Sequence, residues 1–212
     1  MREESKTIVF ALGVCVICSV LLSGLAAGLK SIQTANQAFD VKRNIVKAFG
    51  VDISAMTRND IEETYTTHIS EEQVATPSGD MPIYIWRESA EAGPSKYAFP
   101  IAGKGLWSMM YGYLSIESDL ETVAGISFYK HGETPGLGAE IEKPWFQSQF
   151  AGKKLYANGS PTDFRVLKPG SELDQTSVDG ISGSTMTSKG VQALIQRDAA
   201  TYSEYFNKIR GG

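Results

Sequence analysis

Thr7 to Leu29 is a run of 23 residues without a charged side chain. At about 1.5 Å per residue it makes roughly 35 Å of helix, enough to cross a hydrocarbon core of about 30 Å with some tilt. A cleaved leader has an apolar region of only about 7–15 residues. The run therefore reads as a retained transmembrane helix, even though Gly24-x-Ala26 is a conceivable cleavage site. Ser31 to Phe49 follows with Ile32, Ala35, Phe39, Ile45, Val46 and Phe49 near one stripe, an amphipathic helix that Gly50 would end. Residues 52–80 are polar and acidic and close on Pro77-Ser78-Gly79-Asp80, which predicts a connector.

From Met81 the chain changes to short runs rich in β-branched and aromatic residues. These predict strands near 82–87, 95–101, 108–117, 122–130 and 163–168. Helices are expected at 144–151, opening on Pro144, and at 188–209, where Val191, Leu194, Ile195, Tyr202, Phe206 and Ile209 recur at helical spacing. The expected fold is α+β: a single N-terminal transmembrane helix, then one domain with a largely antiparallel sheet and flanking helices. The expected organisation is a tail (1–6), the span (7–29), an amphipathic helix and polar connector (30–80) and a globular domain (81–212).

Charge removes one class of function. The chain has 20 basic and 24 acidic residues, a net charge of −4. A mildly acidic domain lacks the electrostatic footprint of nucleic-acid binding. Cys15 and Cys18 both lie in the apolar run, so the domain has no thiolate for a disulfide, an Fe–S cluster or a zinc site of its own. The two cysteines are read as small apolar side chains in lipid or at a helix contact. His68 and His131 are too few for a histidine-built metal centre, and no C-x-x-C-H haem attachment occurs. A redox role would need an organic cofactor.

Two glycine-rich stretches carry the candidate chemistry. His131-Gly132-Glu133-Thr134-Pro135-Gly136-Leu137-Gly138 follows a predicted strand. Its Pro-Gly pair suits a tight turn, and Gly136 and Gly138 would let a flat ring approach the backbone. Asp179-Gly180-Ile181-Ser182-Gly183-Ser184-Thr185-Met186-Thr187-Ser188 precedes the last predicted helix. Hydroxyls before a helix N-terminus suit a phosphate, and they equally suit a simple N-cap. Neither stretch is a dinucleotide fingerprint or a phosphate-binding loop. The residues alone give a candidate anion or ligand site, with an anchored scaffold or ligand-binding domain as the competing reading. No general acid, base or nucleophile for independent turnover stands out, and the nucleophile elbow G-x-S-x-G is absent.

Together the two stretches resemble the FMN-binding domain family. D-G-I-S-G-S-T (179–185) is similar to that family's flavinylation motif, whose final threonine carries FMN as a phosphoester. H-G-E-T-P-G-L-G (131–138) is similar to the loop lying along the flavin. The resemblance implies Thr185 as the covalent acceptor, with Asp179, Ser182 and Gly183 as motif partners and Glu133, Thr134, Gly136, Leu137 and Gly138 as the flavin cradle. Ser184 stands where the family usually has alanine. It and Thr187 are competing hydroxyls, Thr187 the runner-up and Ser184 third. Trp107 is a stacking candidate if it is not a core residue, and Lys130 and His131 are candidates for balancing a reduced flavin's charge.

More of the chain is similar to the family of C subunits of sodium-translocating NADH:quinone oxidoreductases. The similarity includes G-K-G-L-W-S-M-M-Y-G-Y-L (103–114), P-W-F (144–146) and T-S-K-G-V (187–191), and extends over most of the sequence apart from 52–80. The flavoprotein subunit of the ferredoxin:NAD oxidoreductase complex is the near alternative. Membership implies a bacterial inner-membrane electron-transfer subunit that does not turn over alone, with the other membrane subunits as partners. It also implies a flavin transferase that uses FAD and Mg²⁺, with Asp179 serving its recognition. The resemblance places the domain in the periplasm; the basic residues Lys30, Lys42, Arg43 and Lys47 after the span, against Arg2 and Lys6 before it, weakly favour the cytoplasm.

Overall fold

The computed structural model describes residues 3–211. The chain forms two compact units, Met1–Asp40 and Val41–Gly212. Helix α1 (Glu3–Ala48) is one continuous helix, so the expected span and amphipathic helix are not separate elements. Its apolar stretch has a mean hydropathy of 2.7 and none of that stretch is buried, which makes the helix long and apolar enough to cross a membrane. Ile32, placed on the expected apolar stripe, is exposed.

The second unit begins with the last turns of α1. Ile45, Val46, Ala48 and Phe49 are fully buried, and Gly50 takes a positive φ of 84° just past the helix end. The Ala48 carbonyl accepts from Ser115 Oγ (2.5 Å) and the Asn44 carbonyl from Ser127 Oγ (2.8 Å), so sheet hydroxyls satisfy carbonyls at the helix terminus. Helix α2 (Arg58–His68) opens on a capping box between Thr57 and Asp60. Strand β1 (Ile69–Thr76) then pairs with β2 (Gly79–Trp86). Residues 52–80, expected as a connector, thus hold a helix and an edge strand. Polar side chains hid both: on β1, Glu71, Glu72 and Gln73 are exposed, as suits the edge of a sheet.

Strands β3 (Lys96–Lys104), β4 (Met109–Glu117) and β5 (Val123–Lys130) complete an antiparallel sheet in the order β1-β2-β3-β4-β5. A short 3₁₀ helix (Gly138–Glu142) and α3 (Pro144–Gln147) follow, α3 being shorter than the expected 144–151. A two-residue hairpin, β6 (Tyr156–Ala157) and β7 (Ser160–Pro161), precedes β8 (Arg165–Leu167), which pairs in parallel with β9 (Ser177–Asp179). Helix α4 (Thr185–Gly211) packs on β3 through Val191, Leu194, Ile195, Tyr202 and Phe206, all buried. It starts three residues earlier than its apolar spacing predicts.

Helix α4 lies almost directly on the backbone of β3. A β-carbon at Gly103 would come 2.5 Å from Leu194 Cβ, and one at Gly190 would strike the Lys104 carbonyl and come 3.1 Å from Met110 Cε. A carbonyl in a paired strand cannot swing aside as a side-chain tip can. Gly190→Ala is therefore expected to lose about 1–3 kcal/mol of stability from overpacking, despite alanine's better helix propensity of about 1 kcal/mol. Denaturant titration of the two proteins checks it.

Candidate functional site

Three segments converge at the end of the sheet where α4 begins. The first is the β3–β4 hairpin loop, closed by Gly105 N–H donating to the Ser108 carbonyl (2.8 Å). The second is the turn Thr134-Pro135-Gly136-Leu137, in which Leu137 N–H donates to the Thr134 carbonyl (3.1 Å) and Gly136 has φ 72°. Proline second and a positive-φ glycine third is the type II arrangement that the sequence implied. The third is Ile181-Ser182-Gly183-Ser184, closed by Ser184 N–H to the Ile181 carbonyl (3.0 Å), with Gly183 at φ 74°. The same turn chemistry thus closes both glycine stretches. They touch: a β-carbon at Gly183 would lie 3.1 Å from Leu137 Cδ2.

Glu133 fastens the three together. It is 5% exposed. Its Oε1 accepts from Trp107 N–H (2.9 Å) and Ser108 N–H (3.3 Å), and its Oε2 from Leu106 N–H (3.2 Å) and the Thr187 hydroxyl (2.6 Å). Burial alone would raise the carboxyl's pKa. The Thr187 hydroxyl and the Trp107, Ser108 and Leu106 N–H groups outweigh it and hold the group below its ordinary 4.5. The knot leaves no room for side chains at its glycines. A β-carbon at Gly138 would come 2.6 Å from Thr187 Oγ1, and one at Gly105 would come 2.5 Å from Glu133 Oε1. Glu133 N–H donates to His131 Nδ1 (3.1 Å), which leaves the proton of the neutral ring on Nε2. Glu142 Oε1 is 2.9 Å from that nitrogen, without the alignment of a hydrogen bond.

The hydroxyls before and within α4 divide by burial. Thr187 is 1% exposed and bonded to Glu133; Ser188 is buried, with its Oγ accepting from Ile181 N–H (3.0 Å); Ser184 is buried. Thr185 and Ser182 are exposed, and no hydrogen bond from the described residues occupies the Thr185 hydroxyl. The first backbone bond of α4 runs from Ser188 N–H to the Ser184 carbonyl (3.0 Å), so the N–H groups of Thr185, Met186 and Thr187 are the helix's open donors. Asp179 is half-buried on β9, one carboxylate oxygen accepting from Gly170 N–H (3.1 Å). Thr134 and Gly136 are exposed on their turn.

Apolar side chains on and beside the three converging segments stand exposed. Trp107 is 71% exposed, which rules out the core role weighed for it, and Leu106, Met109, Leu137 and Met186 are exposed as well. Sequence reasoning passed over Leu106, Met109 and Met186. Their signal was apolar residues flanking glycine turns, where a loop is ordinarily polar. Lys130 lies with its Nζ 5.4 Å from the Tyr111 ring centroid. An exposed hydroxyl, open helix donors and an apolar rim over two positive-φ turns suit a flat ring carrying a phosphate.

The FMN-binding domain family matches residues 105–199, a stretch that opens at Gly105 and takes in all three converging segments. The C subunit of the Na(+)-translocating NADH-quinone reductase of Vibrio alginolyticus is 34% identical, the similarity covering 88% of this chain and 87% of that protein. Its Yersinia pestis counterpart is 32% identical, over 88% of this chain and 85% of that one. The chain belongs to the family of C subunits of Na(+)-translocating NADH-quinone reductases.

Solved structures bear out the fold expected of this family. The crystal structure of the C subunit from Parabacteroides distasonis superposes with a TM-score of 0.71 at 32% identity, covering 82% of this chain and 94% of that one. That of Shewanella oneidensis NqrC gives 0.75 at 24% identity, a likeness of fold. Membership in the family makes the protein an FMN-binding, membrane-anchored component of an oxidoreductase complex.

Proposed function

We propose that Thr185 Oγ1 carries FMN as a phosphoester and that the protein relays electrons, through that flavin, between other subunits of a sodium-translocating NADH-quinone reductase. The reading rests on one contrast. Of the three competing hydroxyls, Thr187 is spent on Glu133, Ser184 is buried, and Thr185 stands exposed and unbonded at the start of α4.

The attachment balances without a redox step. The Thr185 oxygen attacks the flavin-side phosphorus of FAD on a Mg²⁺-dependent flavin transferase. The pyrophosphate bond breaks, AMP leaves, and the hydroxyl proton passes to a base on the transferase. Asp179 is the acidic residue for transferase recognition. The open N–H groups and positive end of α4 would hold such a phosphoester. Bound FMN supplies the electron-carrying chemistry. The chain's own residues would orient it: Gly136 and Leu137 beside it, Trp107 and Met186 shielding it from water, with Thr134, Ser182 and Gly183 shaping the turns, while Gly138, buried against Glu133 and Thr187, would support the cradle from beneath. Glu133 and Thr187 hold the cradle's shape. The domain lies on the periplasmic side of a bacterial inner membrane, with α1 as the anchor.

Co-expression of the full chain with and without a flavin transferase tests the reading. Wild type, Thr187→Val and Ser184→Ala are each expected to give a fluorescent band on a denaturing gel only with the transferase. Thr187→Val also loses the tie to Glu133, so only a fluorescent Thr185→Ala beside a folded, colourless Thr187→Val would move the acceptor to Thr187. A colourless wild type, with a transferase proven on another target, would leave an anchored non-redox domain.

A further inference from the structure

Helix α4 turns Thr187, Ser188, Val191, Leu194 and Ile195 inward, which leaves Thr185, Met186, Lys189 and Ala193 as its exposed face at this end. Lys189 is the one charge on that face. It has no acidic neighbour a turn away: the residues three and four positions before it are Met186 and Thr185, and those after it are Gln192 and Ala193. The first turn of the helix carries no acidic residue either. Among the described residues Lys189 forms no ion pair with a carboxylate. Glu133, the buried carboxylate of the site, is spent on four donors. A lysine just past the first turn stands near the positive end of the helix dipole, which disfavours cations and favours anions. The charges of the folded chain alone thus give this ammonium no reason to stand here. A phosphate on Thr185 gives one.

Side chains on an α-helix tilt towards its N-terminus, so a residue covers the turn before its own Cα. Lys189 leans by this rule over Thr185, four positions earlier, where Cβ atoms are about 5–6 Å apart and well within a lysine's reach. Resting on the attachment argued above, we propose that the Lys189 ammonium is the counter-cation of the phosphoester at Thr185. A phosphate esterified on two sides keeps one negative charge on its two free oxygens. A compact, mobile ammonium suits such a target, and the backbone donors of the helix end add to it. Lys189 is then a positioning residue: it holds the flavin's tether and need not touch the ring. The inward-facing hydroxyls of Thr187 and Ser188 lie off this face, so the pairing belongs to Thr185.

Calorimetry of the full chain in detergent micelles, with and without covalent flavin, tests it in wild type, Lys189→Gln and Lys189→Arg. Glutamine matches lysine in helix propensity, so the first variant removes the charge and little else. Without flavin, Lys189→Gln is expected to keep or slightly raise the melting temperature. With flavin it should lower it by about 1–3 °C, and Lys189→Arg should keep the wild-type value. A melting temperature lowered equally in both forms would show a packing role and overturn the proposal, as would no change in either. Loss of flavin loading in Lys189→Gln alone, with Lys189→Arg still loaded, is the same pairing acting during attachment; loss in both variants overturns it. Failure of the underlying reading has a different signature. Wild type that takes no flavin, or takes it elsewhere by mass mapping, removes the Thr185 phosphoester and the pairing with it. Flavin at Thr185 beside an unmoved Lys189→Gln removes the pairing alone.

Discussion

Glu133→Ala is expected to cost about 2–4 kcal/mol of stability, because it unfastens three segments at once. The carboxylate takes four donors, three on the β3–β4 loop and one on α4, and the Thr187 hydroxyl is too buried for water to replace it. Glu133→Gln keeps the shape but turns one acceptor atom into a donor facing Leu106 N–H or Thr187, and should cost about 1–2 kcal/mol. Calorimetry of the two variants measures both losses. The sign of the pH dependence follows from the direction of the shift. A carboxyl whose folded pKa lies below its unfolded value stabilises in full above the unfolded value and loses that contribution as pH falls through the folded one. The gap between wild type and Glu133→Gln should thus be flat near neutrality and narrow below the ordinary 4.5. A gap that widens in acid would contradict the assignment of an ionised, knotted Glu133.

Phe206→Ala is expected to be at least as severe, about 3–5 kcal/mol, through a cavity at the far end of α4. The ring is fully buried and meets four aromatic neighbours, with centroids 5.4 Å from Tyr205, 5.6 Å from Tyr156, and 5.9 Å from both Tyr97 and Phe99. Such rings cannot collapse into the space without leaving their own packing. The two variants separate stability from site geometry. Phe206→Ala should lower the melting temperature while flavin, once attached, keeps its absorption spectrum at low temperature. Glu133→Ala should change both, since Trp107 is positioned through the N–H that Glu133 holds. A spectrum unchanged in Glu133→Ala would show that the hairpin loop does not contribute to the flavin's surroundings.

Much of this was legible in the sequence for identifiable reasons. The apolar run announced a helix able to span a membrane, and the 3.6-residue spacing from Val191 to Phe206 announced α4. The Pro-Gly pair announced the first turn, since positive φ there is cheap only for glycine, whereas the stretch before α4 read as a cap or phosphate site and did not announce its turn at Gly183. Local pattern misled where burial is set from elsewhere. Strand β1 reads as polar because it pairs on one side only, with β2, and turns Glu71, Glu72 and Gln73 to solvent. Helix α4 extends back to Thr185 through residues whose reason to be helical is the tie between Thr187 and Glu133, 54 positions apart. No local pattern encodes that tie, nor the exposure of Trp107, which is held through its backbone rather than its ring.

Electron relay through this chain depends on FMN held at Thr185. Peptide mass mapping of the full chain matured with a flavin transferase, wild type beside Thr185→Ala, is the direct measurement. The expected result is an FMN-sized increment on the tryptic peptide spanning 166–189, fragmenting to Thr185, and its complete loss in the variant with the fold retained. An increment that persists in Thr185→Ala, or that maps to Thr187 or Ser184 in wild type, would contradict it.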